Sequence, residues 1–304
     1  MTLTMNPMTV PDEFTGLLAR LRPRLHRYCA RMAGSALDGE DIVQEALAKA
    51  ARHYDAQVVH EPERWLFRIA HNAALDFLRR RSFERSLFTE ADAQDIVLPE
   101  AAVDPHAAAE ATAAALVTFM HLPLTQRSAV ILADVLEHAL EEIAALLETT
   151  IPAVKAALHR GRTRLRELGR QPEPAAAALS VQDRELAQLY AQRFNARDFD
   201  GLRALLAEEV RLQLAGRANL QGKAQVSAYF GNYAKVTGLR AVPASIEGRP
   251  GVWVHEDGAR EPAYAIALEW RDARLVGIRD FRYARYVSEP LRRTATLRDT
   301  AAGR

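Results

Sequence analysis

The chain is poor in cysteine and carries almost no net charge, and both absences narrow what it is. Cys29 is the one cysteine among 304 residues, so no disulfide can form within the chain. Stability must come from apolar burial, for which the length allows two or three domains. Cys29 falls in phase with Leu18, Leu21, Leu25 and Met32 on a helical stripe, which reads as core rather than as a reactive thiol. No run of about 18 apolar residues suggests a membrane span, and no cationic segment followed by an apolar one opens the sequence; a cytoplasmic location is expected. The histidines and acids do not gather at ligand spacing, so neither a metal nor another cofactor is expected. A net charge of +1 excludes a uniformly basic chain, but the charge is clustered. Arg79, Arg80 and Arg81 close one helical pattern and a run of arginines after His159 closes another. Acids gather at 40–45 and 137–148, so local fields decide the partners.

Periodicity divides the chain. Residues 11–85 read as a helical domain. Phe14, Leu17, Leu18 and Leu21 start its first helix, and Pro23 kinks that helix or restarts it. Asp38 caps the second helix, with Glu40 and Asp41 in its first turn. The third runs from Glu63 to about Arg81 with Trp65, Leu66, Ile69 and Ala73 inward. Trp65 fits a core role better than a stacking one. Residues 86–110 lose amphipathic spacing and read as a linker. A second helical domain covers 111–170, a Pro- and Ala-rich linker covers 171–182, and a domain of helices and alternating strands covers 183–289, followed by a tail, 290–304. Two all-α domains followed by an α+β domain is the expected fold class.

The segment 140–170 carries the clearest chemistry. Leu140, Ile143, Ala144 and Leu147 repeat at helical spacing, and Thr149-Thr150-Ile151-Pro152 supplies a hydroxyl N-cap with proline in the next first turn. This is a helix-turn-helix pattern. Its second helix turns Val154, Leu158 and Leu165 inward and presents Lys155, His159, Arg160, Arg162, Arg164 and Arg166, a charge pattern suited to duplex DNA. The plainer alternative is a helical hairpin with a solvated basic face.

Four motifs in sequence order then resemble one family. Asp38-Gly39-Glu40-Asp41-Ile42-Val43-Gln44-Glu45-Ala46 resembles the polymerase-binding segment of region 2 in sigma-70 factors of the extracytoplasmic-function (ECF) group. Trp65-Leu66-Phe67-Arg68-Ile69-Ala70-His71-Asn72 with Asp76 and Arg79 to Arg81 is similar to the helix that melts and reads the minus-10 element. Leu122-Pro123-Leu124-Thr125-Gln126-Arg127 resembles the start of region 4, and Val154-Lys155 with Leu158-His159-Arg160 its minus-35 recognition helix. The resemblance implies core RNA polymerase and promoter DNA as partners. Asp41, Gln44 and Glu45 share one helix side by their spacing, and by resemblance that side meets the polymerase. Asn72 and Asp76 would address base edges, Arg79, Arg80 and Arg81 phosphate, and the loop 54–62 a flipped base. Ala153, Ala156 and Ala157 stand where the family commonly places hydroxyl or arginine side chains. Minus-35 discrimination is therefore expected from Thr150, Lys155 and Arg160, with His159 and Arg162 also on the DNA side.

Residues 183–289 resemble the SnoaL-like branch of the nuclear transport factor 2-like fold, a cone of curved sheet closed by helices. The similarity rests on Phe194-Asn195-Ala196-Arg197-Asp198 and on Ile278-Arg279-Asp280-Phe281-Arg282-Tyr283, read as a final strand. The resemblance implies a regulatory attachment. Tyr229, Trp253, Tyr264 and Trp270 are candidates to ring a cavity, with a small-molecule ligand or a packed interior as the two readings. His255 fits a surface turn, and Asp280 beside Arg279 either lines the cavity or forms an ion pair. The overall expectation is a transcription initiation factor that is not an enzyme. A polymerase-independent helix-turn-helix regulator with a ligand-sensing cone is the second reading, and a SnoaL-like enzyme tethered to DNA the third.

Overall fold

The computed structural model describes residues 12–55, 58–86, 115–170 and 179–292. Asp12–Ala33 forms α1, which continues through Pro23 rather than restarting there. Leu21 and Leu25 are both buried on either side of the proline, and their packing offsets the hydrogen bond it removes. Ala36–His53 forms α2. Its cap is Ser35 rather than the expected Asp38: the Ser35 hydroxyl accepts the Asp38 amide at 3.0 Å. Asp38 sits one turn in, where its charge still complements the helix dipole. The two helices cross closely enough that a Cβ on Gly39 would lie 2.5 Å from Ala30 Cα. Pro62–Ser86 forms α3, with proline where its missing N–H costs nothing.

After a 3-10 turn, Leu116–His121, come α4, Leu124–Val130, and a π turn, Ile131–Val135. The expected helix-turn-helix follows as α5, Leu140–Leu146, and α6, Ile151–Gly169. The Thr150 hydroxyl caps α6 by accepting the Ala153 amide at 3.3 Å. Val154, Leu158 and Leu165 are buried as their spacing requires, and so is Ala157. Gly161 permits the close approach of α4 and α6: a Cβ there would meet Val130 Cγ2 at 2.6 Å.

Segments 11–85 and 111–170, expected as separate bundles, pack into one unit, Met1–Pro172. One continuous core runs from Leu25, Cys29 and Phe67 to Phe119, Leu132 and Leu158. The expected linkers, 86–110 beyond Ser86 and 171–182 up to Ala178, lie outside the described residues, as does the tail beyond Arg292.

The second unit, Glu173–Arg304, opens with α7, Val181–Asn195, capped by Ser180, and α8, Phe199–Ala204. Strands β1 (Leu206–Leu214), β2 (Ala218–Gln221), β3 (Leu239–Ile246), β4 (Arg249–Glu256), β5 (Tyr264–Arg271) and β6 (Arg274–Asp280) form a sheet in the order β2-β1-β6-β5-β4-β3, with α9, Lys223–Ala234, between β2 and β3. All pairings are antiparallel except that of β1 with β6. This is the expected α+β architecture. Asp272 and Ala273 both have positive φ, 50° and 56°, the geometry of a two-residue hairpin turn. The expected strand through Tyr283 ends instead at Asp280. From Phe281 the buried positions become 281, 284, 287, 288 and 291, a helical period, and residues 285–292 are helical. Ser288 on that helix accepts the Ala265 amide at 3.1 Å.

Candidate polymerase and nucleic-acid interfaces

Helical phase places the candidate side chains of α2 and α3 beside one another. Ile42, Val43, Ala46 and Leu47 are buried while Asp41, Gln44 and Glu45 are half-buried, so the polar side stays at the surface. Glu45 pairs with Lys49 at 2.8 Å on its own helix and with Arg80 of α3 at 3.1 Å. These two cations hold its carboxyl below the ordinary range, the Lys49 hydrogen bond contributing most. Gln44 donates to Glu40 at 3.4 Å, and Glu40 is buried and paired with Arg22. Arg81 meets Asp38 at 3.0 Å, and Asp76 meets Arg79 at 3.3 Å and Lys49 at 3.9 Å. Asn72 is exposed. The residues expected to bind polymerase and those expected to bind minus-10 DNA are thus joined by surface ion pairs. Such pairs are weak and exchangeable, so a phosphate can replace the carboxylate. Trp65 is half-buried against Phe14 and Tyr54, whose rings stack at 3.6 Å. Tyr54, at the start of the expected base-flipping loop, is committed to this cluster.

On α6, Lys155 is exposed and His159 half-buried, and the Thr150 hydroxyl already serves as cap. Arg162 makes a two-point ion pair with Asp134, at 2.9 and 2.5 Å, and the Asp134 side chain is 2% exposed. This geometry ties Arg162 into the fold. Nothing in the local sequence signals a partner 28 positions away. Arg160 has Nε and Nη1 out of solvent with no acceptor among the described residues. Ala157 is turned to the core, which leaves Ala153 and Ala156 toward the outer side.

Sequence reasoning assigned no role to the residues that hold the two halves of the first unit together. Arg127 is buried, and its guanidinium donates to Met32 O of α1 at 2.8 Å and to Met120 O and Leu122 O at 3.2 and 3.0 Å. Burial pulls its pKa below the ordinary arginine value; the three carbonyls take the two terminal nitrogens, while the buried Nε has no acceptor among the described residues. Beside it, Phe67 of α3 receives the edge of His138 at 5.0 Å and the Arg24 guanidinium at 5.5 Å. Arg31 lies 5.7 Å from the Phe119 ring. Tyr28 bonds His71 Nδ1 at 2.7 Å, and burial holds His71 below its ordinary pKa.

In the second unit the four aromatic candidates do not form one ring. Tyr229 and Tyr264 join Tyr233 around Asp280: Tyr229 and Tyr233 each donate to Oδ2 at 2.8 Å, and the Tyr233 and Tyr264 hydroxyls are 2.9 Å apart. The Arg282 amide donates to Oδ1 at 2.8 Å. Trp270 packs from the edge of the same core. Trp253 lies on the opposite face, because Val254 faces inward beside Tyr264 and strand neighbours alternate. Asp280 is fully buried, and desolvation raises its pKa despite three hydrogen bonds to the carboxylate. It does not pair with Arg279, which bonds Gln213 at 2.7 Å. His255 is half-buried at the end of β4, and burial lowers its pKa. Among the described residues no cluster of His, Cys, Asp and Glu fits a metal, and no helix is long and apolar enough to cross a membrane.

Two family models match the chain: Sigma-70 region 2 over residues 17–84 and Sigma-70, region 4 over residues 114–165. Both spans fall in the first unit. The chain is similar to the ECF RNA polymerase sigma factor SigW of Bacillus subtilis, 29% identical over 168 residues, which cover 51% of this chain and 88% of SigW. It is likewise similar to the RNA polymerase sigma factor CarQ of Myxococcus xanthus, 32% identical over 160 residues, 52% of this chain and 89% of CarQ. Among solved structures, the Mycobacterium tuberculosis extracytoplasmic function sigma factor SigJ aligns at 23% identity and a TM-score of 0.36, over 88% of this chain and 95% of that one.

Proposed function

We propose, from the premise that this chain belongs to the extracytoplasmic-function group of the sigma-70 family, that its first unit is the closed form of a two-element promoter reader. The chain is a transcription initiation factor that binds core RNA polymerase and directs it to promoters. Sigma factors are not enzymes, and the chemistry belongs to the polymerase.

The closed form and the task differ in size. Elements named for positions 10 and 35 lie about 25 base pairs apart, or roughly 85 Å at about 3.4 Å per step. A compact body of about 140 residues has a radius of gyration near 14 Å and spans roughly 40 Å. One packed unit cannot read both elements, so the half with α1 to α3 and the half with α4 to α6 must separate. Arg127 on Met32 O is the observation that carries this reading, since that bond joins the halves and has to break.

In the opened factor, Asp41, Gln44 and Glu45 contact polymerase. Asn72 and Asp76 address minus-10 bases, and Arg79, Arg80 and Arg81 exchange their carboxylates for phosphates. Lys155, His159 and Arg160 serve the minus-35 element with Thr150 at the helix start, while Arg162 keeps its bond to Asp134. Phosphate oxygens of the bound duplex supply the acceptors that the buried Arg160 donors lack among the described residues. The second unit, a SnoaL-like cone, modulates this step. Pull-down of core polymerase by the full chain, followed by transcription from a random promoter library, tests the assignment. Co-elution and a shared pair of enriched elements are expected; absence of both would overturn it. Truncation after Gly169 tests the modulation, and unchanged promoter activity and polymerase affinity would refute it.

A further inference from the structure

The second unit carries a charged aromatic feature that neither half of the promoter reader uses. Tyr283, in the turn after β6, is 50% exposed. Arg217, in the turn between β1 and β2, places its guanidinium 4.5 Å from the centroid of that ring, and Arg282 lies 6.0 Å from it. The two turns meet because β1 and β6 run parallel: Leu214 pairs with Asp280, and the Ala215 amide donates to Asp280 O at 3.0 Å. The Arg282 guanidinium also rests 5.2 Å from the buried Tyr233 ring, at the edge of the tyrosine cluster. Elsewhere in this unit Arg203, Arg285 and Arg292 meet carboxylates. Among the described residues the Arg217 guanidinium has only its ring contact, and Arg282 has no ion pair but lies in the field of the buried Asp280 carboxylate.

A guanidinium fork without an ion-pair partner takes phosphate oxygens, and a half-exposed aromatic ring beside it takes a base. A small anionic ligand is held in a concave site that buries most of its surface. Arg217 and Tyr283 stand exposed on turns instead, an arrangement suited to a polymer that brings charges and bases in series. We propose that Arg217, Tyr283 and Arg282 form a docking surface for single-stranded nucleic acid, with phosphates on the two arginines and a base on the tyrosine. The proposal rests on the promoter reading for why an unpaired strand would be near, and it stands by itself as a binding surface.

The test is binding of a fluorescent 15-residue oligothymidylate to the full chain at low salt, without polymerase. Replacing both arginines, Arg217→Ala with Arg282→Ala, should weaken binding at least about fivefold and lower the slope of log affinity against log salt by about 1.4, from about 0.7 per phosphate contact. Arg217→Ala alone leaves the Tyr233 contact intact and should remove half of that slope. Tyr283→Ala should weaken binding about fivefold or more, while Tyr283→Phe, which keeps the ring, should bind as wild type. Unchanged affinity and slope in the arginine and Tyr283→Ala variants would overturn the proposal. So would thymidine monophosphate competing mole for mole as well as the oligomer, since that marks a small-molecule site. Because polymerase is absent, failure here leaves promoter-directed transcription standing, and failure of that transcription leaves this binding in place.

Discussion

Arg127 is where the closed unit is most directly breakable. Arg127→Met keeps much of the side-chain volume and removes three charge-assisted bonds, to Met32 O, Met120 O and Leu122 O. Bonds to a charged donor contribute about 1.5–3 kcal/mol each. They are not additive here, because two of the carbonyls belong to the same lead-in to α4 and find water once the halves part. A loss of about 3 kcal/mol is the working figure, equivalent to roughly a hundredfold in the opening equilibrium. Hydrogen exchange read peptide by peptide distinguishes the two units of the chain. Peptides from α1 and α4 should exchange about a hundredfold faster in the variant while peptides from β4 to β6 stay unchanged. Arg127→Lys should fall between, since an ammonium cannot span three acceptors in the same plane. Equal protection of α1 in the variant and the parent would refute the view that this guanidinium joins the halves.

Three further outcomes follow from named contacts. Lys155→Ala should lower affinity for minus-35 duplex about fivefold, roughly 1 kcal/mol, measured by fluorescence anisotropy; no change at several promoters would show that α6 is aligned wrongly on DNA. Arg162→Met removes the two-point ion pair from the buried Asp134 carboxylate, so the first unit should lose about 3 kcal/mol in thermal unfolding; a variant as stable as wild type but weaker on DNA would return Arg162 to the interface. Asp280 has a folded pKa above its ordinary 3.8, so the folded state gains most from its proton below that value and loses the gain as pH rises through the higher folded value. Asp280→Asn removes that loss, and the stability difference between variant and wild type should therefore grow in the variant's favour as pH rises, then level off. Trp253 and Trp270 fluorescence reports on this unit, and curves parallel at all pH values would contradict the assignment.

The helices were legible because their signals are local. The stripe from Leu18 to Met32 and the Thr150–Pro152 start each lie within a few residues, and both appear where the spacing puts them. Capping was harder to read, since Ser35 and Asp38 are both good caps and only the path of the chain decides that the serine accepts the amide of the aspartate. The end of β6 was missed because Ile278 to Tyr283 alternates for a few residues before the helical period of 281, 284, 287 and 288 takes over. The joining of the halves left no trace in periodicity. Met32, Phe67, Phe119 and Leu132 each fit the core of a separate bundle, and the same apolar faces serve equally well for a common one. Charge had the same ambiguity. Arg162 and Arg160 carry the same sign on one helix, yet Asp134, distant in sequence, takes one of them into the interior. The Asp280 cluster was half visible: its tyrosines were candidates, but strand phase places Trp253 away from them and Tyr233 among them.

The central claim concerns separation of two halves that are packed together in the free chain. Cysteines placed at exposed positions on each half, Ala19→Cys on α1 and Ala153→Cys on α6, carry a spin-label pair, and the buried Cys29 stays unlabelled. Electron–electron distance measurement on the free chain should give a single short distribution within the roughly 40 Å body. On adding core RNA polymerase it should move beyond about 60 Å. A distribution unchanged by a polymerase that demonstrably binds would contradict the account.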